Sequence, residues 1–399
     1  MKFYIQMGHG MQSICKELTE YWGESTTIIS PLNMPLPEKV KPFSESLRKI
    51  GGQVLFDPQM YSPRKYHKNL QKYSYFPKDG ITSIELGECG AVISALAKIN
   101  DEIESEAFIL PSQTITAYDE RWNGVQNSVA VQGRHAANGR KTFQTLSLSG
   151  DAITDETQIE RIVQSASQWD VDGIYIVCEH PQRYYLVDKP IWIANLLSLV
   201  AGIKRSGKEV VVGYANHQLL CLALAKCDAI ASGNFLNVRW FQPEHFETID
   251  DNEPSRRATW YYCPQVLSEY KVTYLDVAKR SELLSRMMPP PDMGNPYSSM
   301  LFQGALPSST NYKERDSFKH YLHCLRIQAM TSAKSTYAET LNSLTLSYST
   351  ASTLFEGLRN ARIKGQERDF FEIIDANEAA ISLFDKEFGF AMSQEWNAL

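Results

Sequence analysis

The chain has no CxxC pair, and its seven cysteines, scattered from Cys15 to Cys324, are odd in number. That spacing excludes a disulfide framework and a cysteine-bound zinc finger, so reduced and buried thiols are expected. Positive charge is short as well: 40 Lys and Arg stand against 46 Asp and Glu, a net charge of −6. A surface that grips nucleic acid all over needs the opposite balance, which leaves room only for a local basic groove. The longest apolar run, IWIANLLSLVAGI at 191–203, is too short to span a bilayer, and the amino terminus lacks the pattern of a secretory signal. A cytoplasmic protein with no membrane contact is the expectation. The P-loop, GxGxxG, GxSxG and HExxH patterns are also missing. The chemistries built on them drop away, and neither a cofactor nor a metal is expected.

What is present fits a folded, soluble chain. Its 399 residues are 43% hydrophobic and 22% charged, near ordinary globular values. Eight short β-rich runs recur: FYIQM (3–7), TTIIS (26–30), QVLFD (53–57), AFIL (107–110), TFQTLSL (142–148), GIYIV (173–177), VVVGY (210–214) and AIAS (229–232). Helical patterns fall between them, near 10–22, 36–50, 87–102, 119–138, 155–169, 190–206 and 216–226. Strand and helix alternating in this way predict parallel strands joined by crossover helices. Eight such units predict a (β/α)8 TIM-like barrel over 1–245. A mostly helical region over 246–399 follows, with the proline-rich MMPPPDMGNP at 287–296 as a connector. It either packs on the barrel or mediates assembly, including a homo-oligomer.

In a barrel of this kind, ligand chemistry sits where the strands end. The strand ends here carry His9 in a GHG turn, Ser30, Asp57, Gln59, Tyr61, Gln113, Glu179, His180, Tyr214, Asn216, Ser232, Gly233, Asn234 and Arg239. The glycines flanking His9 would let backbone approach a ligand; the alternative is a tight turn with a surface histidine. Asp57 ends a buried strand, where a carboxylate can exchange a proton or hydrogen-bond a base edge; otherwise it caps the following turn. Arg64 opens a stretch in which Lys65, His67, Lys68 and Lys72 interleave with tyrosines. Such a pattern suits phosphates and stacked bases, and equally a solvated amphipathic helix. Glu179 and His180 could act as acid and base, although neighbours on a strand face opposite ways. Asn216 is either a ligand residue or the cap of the next helix. Ser232, Gly233 and Asn234 form a small-residue loop that would bind phosphate together with Arg239. His320, His323 and Cys324 share a helical face but read as packing or surface.

The segment VVVGYANHQLLCLALAKCDAIASGNFLNVR resembles the corresponding part of the tRNA-guanine transglycosylase superfamily. The stretch from TTIISPLNM through ESLRKIGGQVLFDPQMY is similar in layout to that family's segment before its first catalytic aspartate, which maps onto Asp57. The likeness covers roughly residues 1–240. It implies a barrel that exchanges a base in a nucleic acid through an aspartate nucleophile at the end of the eighth strand, with a zinc held by cysteines and a histidine. This chain has Ala231-Ser232-Gly233 at the nucleophile position and no cysteine cluster. Covalent base exchange, a glycosyltransferase reaction, is therefore in doubt. Acting on or binding a nucleobase, nucleotide or nucleic acid at the same mouth stays open, with Asp57, Glu179 and His180 as the candidate catalytic groups. The alternatives are a non-catalytic recognition module in a larger bacterial assembly and a small-molecule barrel enzyme.

Overall fold

A computed structural model describes residues 1–62, 67–77, 89–247 and 258–399. The barrel strands are β1 (Lys2–Gln6), β2 (Ser25–Ile29), β3 (Gly52–Phe56), β4 (Ala107–Leu110), β6 (Lys141–Leu148), β7 (Gly173–Cys178), β8 (Glu209–Val212) and β9 (Ala229–Ser232). They are all parallel and run side by side in the order β3-β2-β1-β9-β8-β7-β6-β4. The two ends of that row meet through a backbone hydrogen bond from Glu106 N to Val54 O at 2.9 Å, so the ring is nearly closed. A two-residue strand, β5 (Thr114–Ile115), adds to the upper end of β6. All eight expected runs are strands.

The alternation of side chains explains why these runs pair in a ring. Ile28, Leu55, Ile109, Tyr175, Val211 and Ala231 fill the barrel interior. Their neighbours Ile29, Val54, Leu110, Ile174, Val212 and Ile230 face outward into the larger apolar cluster beneath the helices. Each strand thus buries both faces, as parallel barrel strands must. The helices are α1 (Gln12–Trp22), α2 (Val40–Arg48), α3 (Gly90–Ile103), α4 (Glu120–Ala136), α5 (Gly150–Thr154), α6 (Glu156–Gln168) and α7 (Pro190–Arg205). Between β8 and β9 the expected helix takes the form of 3-10 turns over His217–Ala225.

The carboxyl-terminal region contains more than helices. An antiparallel hairpin, β10 (Trp260–Cys263) and β11 (Ser268–Lys271), precedes α8 (Val272–Arg280), α9 (Glu314–Ser332), α10 (Tyr337–Asn360) and α11 (Ile374–Glu395). It packs on its own barrel: Trp22 Nε1 donates to His323 Nδ1 at 3.1 Å, and Arg205 pairs with Glu395 at 2.8 Å. Its core residues belong to the same apolar cluster as the outer face of the barrel. The 287–296 segment is no free connector, because Met287 is buried and Asn295 bonds His320. Among the described residues no helix is long and apolar enough to cross a membrane.

Candidate functional site

Asp57 stands immediately after β3, held in strand register by its N–H bond to Ile29 O at 3.1 Å. The chain then turns sharply: Gln59 lies in the left-handed region at φ 52, and its N–H donates to Asp57 Oδ1 at 3.0 Å. Asp57 therefore caps its own turn while its second oxygen faces the barrel axis. Tyr61 OH lies 2.8 and 2.9 Å from the two carboxyl oxygens, Tyr214 OH 3.0 Å and Tyr175 OH 3.4 Å from Oδ2. Tyr175 also reaches Gln6 Oε1 at 3.1 Å, while Gln59 Nε2 donates to Ser30 Oγ at 2.8 Å and to Tyr214 OH at 2.9 Å. Gly213 makes room for this arrangement, since a Cβ there would stand 2.3 Å from the Tyr175 hydroxyl.

Among the described residues no Lys or Arg side chain pairs with the Asp57 carboxyl. Asp57 is fully buried, and burial pushes its carboxyl up to about 6; the bonds from Tyr61, Gln59, Tyr214 and Tyr175 pull the other way. A carboxyl in this position changes protonation near neutral pH, which is what proton transfer requires. Burial and the neighbouring Asp57 carboxylate hold the Tyr61 hydroxyl well above the ordinary range, so it stays a donor. Above the carboxylate, Tyr61, Phe241 and Phe246 close the mouth, with ring centroids 4.9 Å (Tyr61 to Phe241) and 4.8 Å (Tyr61 to Phe246) apart. Tyr214 packs on Phe241 at 5.5 Å, and Ser62 Oγ ties the cover together by donating to Glu247 Oε1 at 2.9 Å.

Of the residues singled out in the sequence, Asp57, Gln59 and Tyr61 meet here. Gln113 is half-buried in the short stretch between β4 and β5. His9 is exposed in its turn, tied to the β9 end only through its carbonyl, which accepts from Asn234 Nδ2 at 3.1 Å. Gly233 is a glycine for steric reasons, because a Cβ would come within 2.3 Å of Gln6 O. Ser232 and Asn234 are buried beside it. Glu179 and His180 make separate contacts. Glu179 accepts from Gly150 N at 2.9 Å and is raised by burial, whereas His180 packs edge-on against Trp192 and is lowered by burial to about 4. Asn216 is the cap of the 3-10 turns, its Oδ1 accepting from Gln218 N at 2.8 Å. Arg64 lies outside the described residues.

Arg239 corrects the phosphate expectation. Its guanidinium is buried, ion-paired to Glu269 at 3.1 Å, hydrogen-bonded through Nε to Gly233 O at 2.8 Å, and stacked 3.5 Å over Tyr321. Glu269 also pairs with Arg368 at 3.0 Å and accepts from Tyr185 OH at 3.2 Å. Burial opposes its charge, but Arg368 and Arg239 outweigh that and hold the carboxyl down at about 2. Arg239 thus joins the barrel to the β10–β11 hairpin instead of facing a ligand. The sequence reading missed Gln6, Tyr175, Phe241 and Phe246. The run WFQPEHF at 240–246 carried a signal for the last two, an aromatic-rich segment in the loop region that follows the last barrel strand.

No family model and no curated protein matches this chain. Among solved structures, the chain is similar to a glucosidase from Croceicoccus marinus, with TM-score 0.33 and 8% identity over 58% of this chain and 59% of the glucosidase. It thus spans about three-fifths of that enzyme. It is also similar to D-psicose 3-epimerase from Clostridium cellulolyticum H10, with TM-score 0.31 and 11% identity over 84% of this chain and 100% of the epimerase. Likeness at this level says nothing about substrate.

Proposed function

We propose that the mouth of this barrel receives a flat heteroaromatic ligand of nucleobase type and that Asp57 exchanges a proton with it. The observation that carries the reading is a buried carboxyl, pushed to about 6, lying directly beneath a cover of aromatic rings. Aromatic faces stack on bases, and a carboxylate accepts from the N–H edge of a base. Gln59 would supply the amide next to it. Tyr61 and Phe246 must swing aside for the ligand to reach Asp57, since none of the carboxyl is exposed. The sequence likeness to transglycosylases supports the same ligand class. The β9 end offers Ser232 and no carboxylate, so the reaction proposed is proton transfer on the bound ring, with covalent base exchange set aside.

A second reading, a recognition barrel with a purely structural mouth, is favoured by the full set of hydrogen bonds that both Asp57 oxygens already hold. Equilibrium dialysis against free nucleobases, nucleosides, single-stranded oligonucleotides and simple sugars separates the two. The proposal expects saturable binding of a base or nucleoside that Asp57→Asn weakens by about tenfold, the worth of one charge-assisted bond. Binding of sugars alone, or base binding untouched by Asp57→Asn, overturns it.

A further inference from the structure

A cavity that shares no lining residue with the mouth lies where α10 crosses the β10–β11 hairpin and the 3-10 turns after β8. Its volume is about 370 Å³, within the range of small-molecule sites. Leu220, Ala223, Leu267, Leu344 and Tyr348 contribute to its lining, with serine and threonine hydroxyls among the remaining wall residues. Most of those hydroxyls are already engaged with their own helix: Ser347 donates to Leu344 O, Ser332 to Ala329 O and Thr350 to Leu346 O. What the cavity presents is therefore mainly hydrocarbon.

Two features show what kind of molecule it suits. Among the described residues Lys334 is the one charged residue in the lining, no carboxylate pairs with it, and its ammonium donates only to Thr331 O at 2.6 Å. It sits between the carboxyl end of α9, to which it is bonded, and the amino end of the 24-residue α10, whose first turn carries Glu339. Tyr348 is 1% exposed and brings a phenol hydroxyl, which none of the described residues hydrogen-bonds, to the apolar wall. A long apolar lining with one cation at its rim is complementary to a chain with an anionic head.

From this geometry we infer that the cavity is a binding site for an aliphatic carboxylate, its chain lying along Leu220, Leu267 and Leu344 and its head at Lys334. The site is separate from the mouth and does not depend on what the mouth binds. Calorimetric titration with decanoate and 1-decanol tests it on the full chain. Ser347→Trp, at an exposed position on the wall, fills the groove without touching the core, and circular dichroism checks that the variant folds. Wild type should bind decanoate saturably, and Ser347→Trp should abolish that binding. Lys334→Glu should weaken decanoate by about tenfold, the worth of one charge-assisted contact, while 1-decanol changes by less than about twofold. No saturable decanoate binding to wild type overturns the inference. So does binding that Ser347→Trp leaves intact, or equal losses for both ligands in Lys334→Glu.

Discussion

Two of the buried carboxylates, Asp57 and Glu269, are treated in opposite ways. Among the described residues Asp57, at the barrel mouth, has only neutral donors around it, three tyrosine hydroxyls and a backbone N–H, and is pushed up to about 6. Glu269, at the joint between barrel and carboxyl-terminal region, lies between Arg239 and Arg368 and is held at about 2. Both are equally shielded from water. Neighbouring charge, rather than burial, decides whether a buried acid is a fixed ion or a group that exchanges protons. The joint is built for permanence, and the mouth for a change of state.

The largest expected effect falls on the joint. Glu269→Gln leaves the buried Arg239 and the partly buried Arg368 without their counter-charge, and should cost about 3–5 kcal/mol in urea denaturation, the usual result of breaking a buried pair. Asp57→Asn removes a charge that has no ionic partner among the described residues. The desolvation cost it relieves and the hydrogen bonds it weakens offset, leaving stability within about 1 kcal/mol of wild type. Equal losses in the two variants would break the comparison.

The comparison is sharpened by pH. Between about pH 4 and 6 the folded chain keeps a proton on Asp57 that the unfolded chain, with its ordinary value of 3.8, has released. Asp57's share of stability therefore falls as pH rises through that window, by on the order of 3 kcal/mol. Glu269 does the reverse lower down: its stabilisation is complete above 4.5 and is lost as pH falls toward 2. Buried His180 and His217, lowered to about 4 and 3, add a slope opposite to that of Asp57 between pH 4 and 6. Denaturation curves of wild type and Asp57→Asn at a series of pH values isolate the aspartate. The difference between the two should shift by on the order of 3 kcal/mol between pH 4 and 6, and a flat difference would remove Asp57's raised value.

How much of this was visible in the sequence follows from the range of the interactions. The strands were legible because a barrel strand buries both faces, so runs such as TTIIS and GIYIV stand out without any partner being known. Asp57 was legible for a related reason, as a carboxylate closing such a run. Its surroundings were not. Tyr175 lies 118 positions away and Tyr214 157, and nothing local marks a strand tyrosine as pointing inward. Arg239 was misread because its true partner, Glu269, stands 30 residues on, in a hairpin hidden within a region that reads as helical. The 3-10 turns after Asn216 keep the cap that the sequence offered and lose the regular helix, with the buried alanines and leucines of 219–225 packed between barrel and tail.

The central claim is that Asp57 is a lone buried acid titrating near neutrality, and the carboxyl stretching band measures it most directly. Infrared difference spectra of wild type against Asp57→Asn, taken from pH 4 to 8, should show a protonated carboxyl giving way to carboxylate with a midpoint near 6. Tyr61→Phe, which removes the donor closest to both oxygens, should move that midpoint higher still. An Asp57 band that is already carboxylate at pH 4, or one that Tyr61→Phe leaves in place, would contradict the account.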